Sequence, residues 1–178
     1  MLENKSAALS LLKLLAHQIS GLVNYSELAS KLGIGAKTVK RYIELFEMSY
    51  IIFTIKPFSN RKRDEISKMS KIYFYDTGLR NALINNFEPI DFRADAGQLF
   101  ENFIVTELYK HNYYGNFGYQ FNFWRTKSGS EVDLILSKSG SETIAVEIKN
   151  QSRRINQAFV SRYPKSRLVV ISRENYWV

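Results

Sequence analysis

The sequence has no cysteine, which rules out disulfides and thiolate metal sites. Histidine is scarce. His17 and His111 lie far apart and show no ligand spacing, so a histidine-based zinc centre is not expected. No apolar run approaches the ~20 residues that a membrane-spanning helix needs. The stretch "SAALSLLKLLAH" carries Lys13 inside its apolar part and reads as an amphipathic helix rather than a secretory signal. Without a signal or cysteine, the expected compartment is the cytoplasm, with no membrane partner. Acidic residues are the minority: 17 stand against 25 Lys and Arg, a net charge of +8. A balance of this size says nothing about fold, but it favours anionic partners, nucleic acid first. Internal repeats and low-complexity segments are also absent.

The chain has 178 residues, of which 45% are hydrophobic and 14% aromatic. That is enough for one domain of usual size or two small ones. Apolar spacing predicts a helix over about Ser6 to Gln18. In "NYSELASKLGIGAKTVKRYIELFEM", Asn24 or Ser26 caps a short helix that ends near Leu32, before Gly33 and Gly35. A second helix follows over about Ala36 to Glu47, with Val39, Ile43 and Phe46 inward. Two helices around a glycine-containing turn make a helix-turn-helix. "YIIFTIKPF" and "KIYFYD" read as strands joined by the charged loop "SNRKRDEISKMS", and the whole reads as a winged helix. "YDTGLRNALINNF" begins a helix capped by Asp76 or Thr77.

The loop "EPIDFRADAG" divides residues 1–90 from 91–178. Beyond it, a long helix covers about Gly97 to Lys110. Strands follow near Gln120 to Thr126, Glu131 to Ser137 and Thr143 to Lys149, then a helix near Asn156 to Tyr163 and a last strand, "RLVVIS". The expected class is α/β (α+β): a winged helix followed by a domain with a mixed sheet flanked by helices.

The hairpin "EVDLILSKSGSETIAVEIKN" sets Asp133, Glu147 and Lys149 among Val, Leu and Ile, although charged side chains are rarely buried unpaired. By strict alternation, Asp133 shares a face with Glu131, while Val132, Leu134 and Leu136 take the other. A loop centred on Gly140 pairs positions that sum to 280, which sets Asp133 opposite Glu147 with Cβ atoms ~5 Å apart. Two carboxylates so close repel unless a cation lies between them. Paired oxygen ligands suit Mg²⁺. In "GQLFENFIVTELYKH", Glu101 lies on the stripe of Ile104, Val105 and Leu108, with Glu107 as the competing choice. The bland alternative makes Glu147 and Lys149 a surface ion pair on an edge strand, with Asp133 merely ending a hairpin.

Glu101, Asp133 and "EIK" from Glu147 to Lys149 resemble the PD-(D/E)XK nuclease superfamily. "KIYFYDTGLRNALI", "GQLFENFIVTEL", "FWRTKSGSEVDLIL" and "AVEIKN" together resemble the DUF4143 region found C-terminal to a P-loop (AAA-type) ATPase in many prokaryotic proteins. The resemblance implies a restriction-endonuclease-like fold with Glu101, Asp133 and Glu147 as ligands of Mg²⁺ or Mn²⁺. It implies a catalytic set of Asp133, Glu147 and Lys149 acting on DNA phosphodiesters. It also implies an ATPase domain or subunit, which this stretch does not contain. The alternative is a non-catalytic DNA- or protein-binding accessory module of such an ATPase.

Lys37, Thr38, Lys40 and Arg41 fall in the first turns of the second helix of the helix-turn-helix, where a recognition helix meets DNA. Arg61, Lys62 and Arg63 form a candidate wing contact. From Lys149 to Arg167 there are six basic residues, Arg153 and Arg154 among them, and no acidic one. "GIGAKT" is not a phosphate-binding loop: Ala36 stands before Lys37 where a glycine is required, and helices flank the turn. No ATP site is therefore expected in this chain. Phe121, Phe123 and Trp124 read as core, and Tyr113 and Tyr114 as loop residues free to stack. Oligomeric state is left open.

Overall fold

The computed structural model describes residues 4–58, 69–126, 128–149 and 157–176. Its elements run α1 (Lys5–His17), β1 (Leu22–Val23), α2 (Tyr25–Leu32), α3 (Ala36–Met48), β2 (Ile52–Pro57), β3 (Ser70–Phe74) and α4 (Thr77–Ile84). A single 3-10 turn, Ile90–Phe92, leads to α5 (Ala96–Tyr114), β4 (Gln120–Arg125), β5 (Glu131–Ser137), β6 (Thr143–Lys149), α6 (Gln157–Arg162) and β7 (Ser166–Ser172). The class is mixed α/β, as expected.

Local chemistry sets the helix ends. Asn24 caps α2 by accepting from the amides of Ser26 and Glu27, which otherwise lack helical partners. Gly33 ends α2 in the left-handed region at φ 63°, a conformation that costs a side-chain-bearing residue more. Asp76 caps α4 through the amide of Leu79. Sequence reading missed β1, a two-residue strand that pairs antiparallel with β3 and completes the winged-helix order. So short a segment carries no readable period. Tyr113 and Tyr114, expected in a loop, instead form the exposed last turn of α5.

The strands form one seven-stranded sheet in the order β1-β3-β2-β4-β5-β6-β7. The hairpin β2–β3 therefore belongs to both halves: β2 pairs antiparallel with β3 and parallel with β4. Alternation along the hairpin serves two cores. Ile52, Ile72 and Phe74 pack with Leu11, Leu15, Val39 and Ile43 of the helical bundle. Phe53, Ile55 and Tyr73 pack with Phe100, Ile104 and Val105 of α5. A hairpin buried on both faces reads as a nearly unbroken apolar run, as "YIIFTI" does. On the other side of β4–β6, Trp124, Val132, Ile135 and Ala145 surround Phe159 of α6.

Two polar devices dock α5. Asn102 is fully buried; its amide accepts from the Phe74 amide at 2.7 Å and donates to the Phe74 carbonyl at 3.0 Å, and Thr106 donates to that same carbonyl. This fixes the rotation of α5 over β3, so Glu101, one residue earlier, comes down beside Tyr73. At the start of α5, Asp95 receives the Arg93 guanidinium at 2.8 and 2.9 Å and pairs with the buried Arg80 of α4. The segment chosen as a boundary is thus tied to both sides of it.

Candidate functional site

The hairpin register is the expected one: Leu134↔Val146, Ile135↔Ala145 and Leu136↔Ile144 all sum to 280. Next to these pairs, at Asp133, a side chain enters the ladder. Asp133 Oδ2 accepts from the backbone amide of Ile148 at 2.8 Å.

The strict alternation expected for β5 fails, however. Against β4, Asn122 faces Ile135 and Trp124 faces Val132, so β5 holds one extra residue at Asp133–Leu134. Such a bulge re-aims side chains. Its result is visible in the packing: Val132 joins the α6 side with Ile135, while Leu134 joins the α5 side. Sequence period alone does not reveal an inserted residue.

Glu101 comes down on the inward stripe of α5, next to Phe100, Ile104 and Val105. Glu107 instead points to solvent and pairs with Lys110. The bland reading of the hairpin fails on geometry. β6 is an inner strand between β5 and β7, and the side chain of Glu147 is 1% exposed, so it forms no edge-strand surface pair.

At the centre stands a residue that sequence reading overlooked. Lys71 of β3 is 3% exposed. Its ammonium lies 2.7 Å from Glu131, 3.0 Å from Glu101 and 3.9 Å from Asp133. Tyr73, two residues along the same strand face, donates to Glu101 at 2.9 Å. Lys149 forms a second cationic point, 3.6 Å from Glu147 and 4.0 Å from Asp133, and Arg125 flanks Glu131 at 3.7 Å. Asp133 thus links two ammoniums, Lys71 on one side and Lys149 on the other. The overlooked signal was of the same kind as the one that marked Glu147. "KIYFYD" sets a lysine in a strand with no polar face to receive it, and a buried charge calls for partners elsewhere.

The electrostatics follow from burial and proximity. Burial alone pulls the Lys71 amine down, but Glu101, Glu131 and Asp133 outweigh it and hold the group above the usual lysine range. Burial pushes the Glu101 carboxyl up to about 7; Asp133 adds to the rise, while Lys71 and the Tyr73 hydroxyl oppose it. Tyr73, fully buried beside Glu101, is raised well above its ordinary value.

The donor types suit a hard divalent ion, but the arrangement does not. Mg²⁺ takes about six oxygens at ~2.1 Å. Among the described residues, no three Asp, Glu, His or Cys side chains are grouped to hold a metal. The space central to Glu101, Glu131 and Asp133 is filled by an ammonium. Among the described residues, four carboxylates here already face three cations, which leaves little negative charge to attract a dication.

Of the proposed nucleic-acid contacts, Lys37, Lys40 and Arg41 are exposed on α3, and Thr38 is half-buried. Gly35 supplies no side-chain cap at the start of that helix. Arg61, Lys62, Arg63, Arg153 and Arg154 lie outside the described residues. Phe123 and Trp124 are buried and Phe121 packs against the α5 core, as expected of core residues. No described helix is long and apolar enough to cross a membrane.

Residues 2–89 match the model of a domain of unknown function, DUF8612, and residues 96–177 match that of another, DUF4143. An uncharacterized protein of Mycobacterium tuberculosis is 27% identical over 161 residues, covering 88% of this chain and 34% of the relative. An uncharacterized protein of Methanocaldococcus jannaschii is 25% identical over 176 residues, covering 97% of this chain and 36% of its own length. The chain thus spans about a third of the length of these relatives. No solved structure matches it. Lys71 lies within the first matched region, and the acids it meets lie within the second. The two matched regions share one sheet.

Proposed function

We propose that this chain docks on DNA as a nuclease-like accessory part of a longer protein, with α3 as the docking element. The observation that carries this reading is the division of α3. Val39, Tyr42, Ile43 and Phe46 are buried, while Lys37, Lys40 and Arg41 stand on the solvent side in its first two turns. The second helix of a helix-turn-helix meets DNA with this part of its surface. Cations there neutralise phosphates and release counterions. The net charge of +8 acts in the same direction. An ATPase region, implied by the family resemblance, belongs to the same proposal as the remainder of the longer protein.

A second reading, metal-dependent DNA hydrolysis, is favoured by one observation: Asp133 and Glu147 flank the Lys149 ammonium just beyond the regularly paired part of β5 and β6. These are the residue types, on the elements, of the PD-(D/E)XK pattern. The present arrangement around Lys71 does not fit a divalent ion.

The test incubates plasmid, linear and single-stranded DNA with the protein in Mg²⁺ or Mn²⁺, and measures binding over a salt series. Binding without cutting, weakened steeply by salt and by joint Lys37→Ala, Lys40→Ala and Arg41→Ala replacement, supports docking. Cutting that is lost in both Asp133→Ala and Lys149→Ala supports the second reading. A protein that neither binds nor cuts removes both.

A further inference from the structure

We propose that Lys71 is the resident cation of the acid centre: its ammonium stands among Glu101, Glu131 and Asp133 where a divalent ion would otherwise bind. The inference does not depend on DNA docking and concerns only the charge arrangement of the folded chain.

Three observations carry it. The first is chemical. A lysine ammonium has three N–H donors and no acceptor, and this one faces three carboxylates from two elements. It stands 2.7 Å from Glu131 and 3.0 Å from Glu101, with Asp133 farther out at 3.9 Å. The second is burial. The side chain is 4% exposed, and its ammonium also stands 5.9 Å from the centre of the Phe123 ring. Its stem is covered by the sheet and α5, so its head does not swing into water as a surface lysine does. The third is the origin of the groups. Lys71 comes from β3, in the helical half, whereas Glu101 comes from α5 and Glu131 and Asp133 from β5. The cation is supplied by one half of the chain and the acids by the other, and Asn102 holds the two in register through the Phe74 backbone.

A dication placed among these oxygens would lie within a few ångströms of a buried ammonium, and like charges at that range repel. The acids are therefore neutralised from within. Removing the ammonium takes the nearest positive charge from Glu101, Glu131 and Asp133, and the repulsion left among them favours uptake of another cation. Lys149 does not fill that role for Glu101 and Glu131. Its contacts are with Asp133 and Glu147.

The experiment titrates Mn²⁺ by electron paramagnetic resonance into four purified proteins: wild type, Lys71→Met, Lys71→Met with Asp133→Asn, and Lys71→Met with Glu131→Gln. Circular dichroism checks the fold of each. The last variant carries one acid fewer and keeps the test valid if repulsion unfolds the single replacement. Wild type is expected to bind Mn²⁺ only weakly. Lys71→Met, or its Glu131→Gln companion, gains tighter binding by about tenfold or more, and adding Asp133→Asn loses it again, the usual scale for a removed ligand-shell group. Tight binding by wild type that Lys71→Met leaves unchanged overturns the proposal. So does a failure of folded Lys71→Met to gain Mn²⁺ affinity over wild type, or of its Glu131→Gln companion where the single replacement unfolds.

Discussion

Replacing Lys71 by methionine is the sharpest test of how the two halves are held together. Methionine keeps most of the apolar stem of lysine and removes the ammonium, with its charge and its three N–H donors. The carboxylates of Glu101 and Glu131 then lose partners at 3.0 and 2.7 Å, inside a region where the lysine is 4% exposed. Breaking a buried ion pair by removing one partner costs ~3–5 kcal/mol, because the charge left behind has lost both water and counter-ion. At ~2–4 °C per kcal/mol for a domain of this size, the melting temperature drops on the order of 10 °C. The loss also depends on pH in a defined way. Glu101, pushed up to about 7 by burial, carries a proton below that value and then has less need of Lys71. Urea denaturation followed by circular dichroism should therefore show the larger loss at pH 8 and a smaller one at pH 5.5. A loss under ~1 kcal/mol at pH 8 would mean that the ammonium is not the partner of these acids. A loss of equal size at both pH values would refute the part assigned to Glu101.

Other expectations follow from individual contacts. The folded state holds a proton on Glu101 that the unfolded chain gives up between pH 4.5 and about 7, so this group's contribution to stability falls as pH rises through that window. The stability difference between wild type and Glu101→Gln should fall over the same range, and a rise in urea titrations would contradict it. Asn102→Leu strands the buried amide of Phe74, while Thr106 still donates to the Phe74 carbonyl, and should cost ~1–3 kcal/mol, with amide exchange at Phe74 speeding up. Gly33→Ala forces a side chain into φ 63° and should lower stability by about 1 kcal/mol in thermal melts. Joint alanine replacement of Lys37, Lys40 and Arg41, all exposed, should leave the melting temperature nearly unchanged. In salt-series binding assays it should reduce the logarithmic salt slope for DNA by about 0.9 for each phosphate that these cations neutralise in the wild type.

Much of this molecule was legible because its signals are local. Asn24, Gly33 and Asp76 announce helix ends through bonds made within a few residues of themselves. The 280 register follows from a turn at Gly140 and a period of two. The inward stripe that carries Glu101 is set by helical spacing, and the division of α3 into a core side and a basic side follows from the same period. Charges at Asp133, Glu147 and Lys149 stood out because apolar neighbours made them costly.

What tertiary structure decided lies between distant segments. The bulge at Asp133–Leu134 is defined only against β4, so no period in β5 reveals which way Asp133 is aimed. Continuation of the hairpin β2–β3 into β4 merges two sequence-level halves into one sheet. Lys71 lies 30 residues before Glu101, and its partners exist only once α5 crosses β3 and β5 comes alongside. A sequence records that a buried lysine needs counter-charges. Which carboxylates supply them depends on distances of about 3 Å, and folding alone sets those.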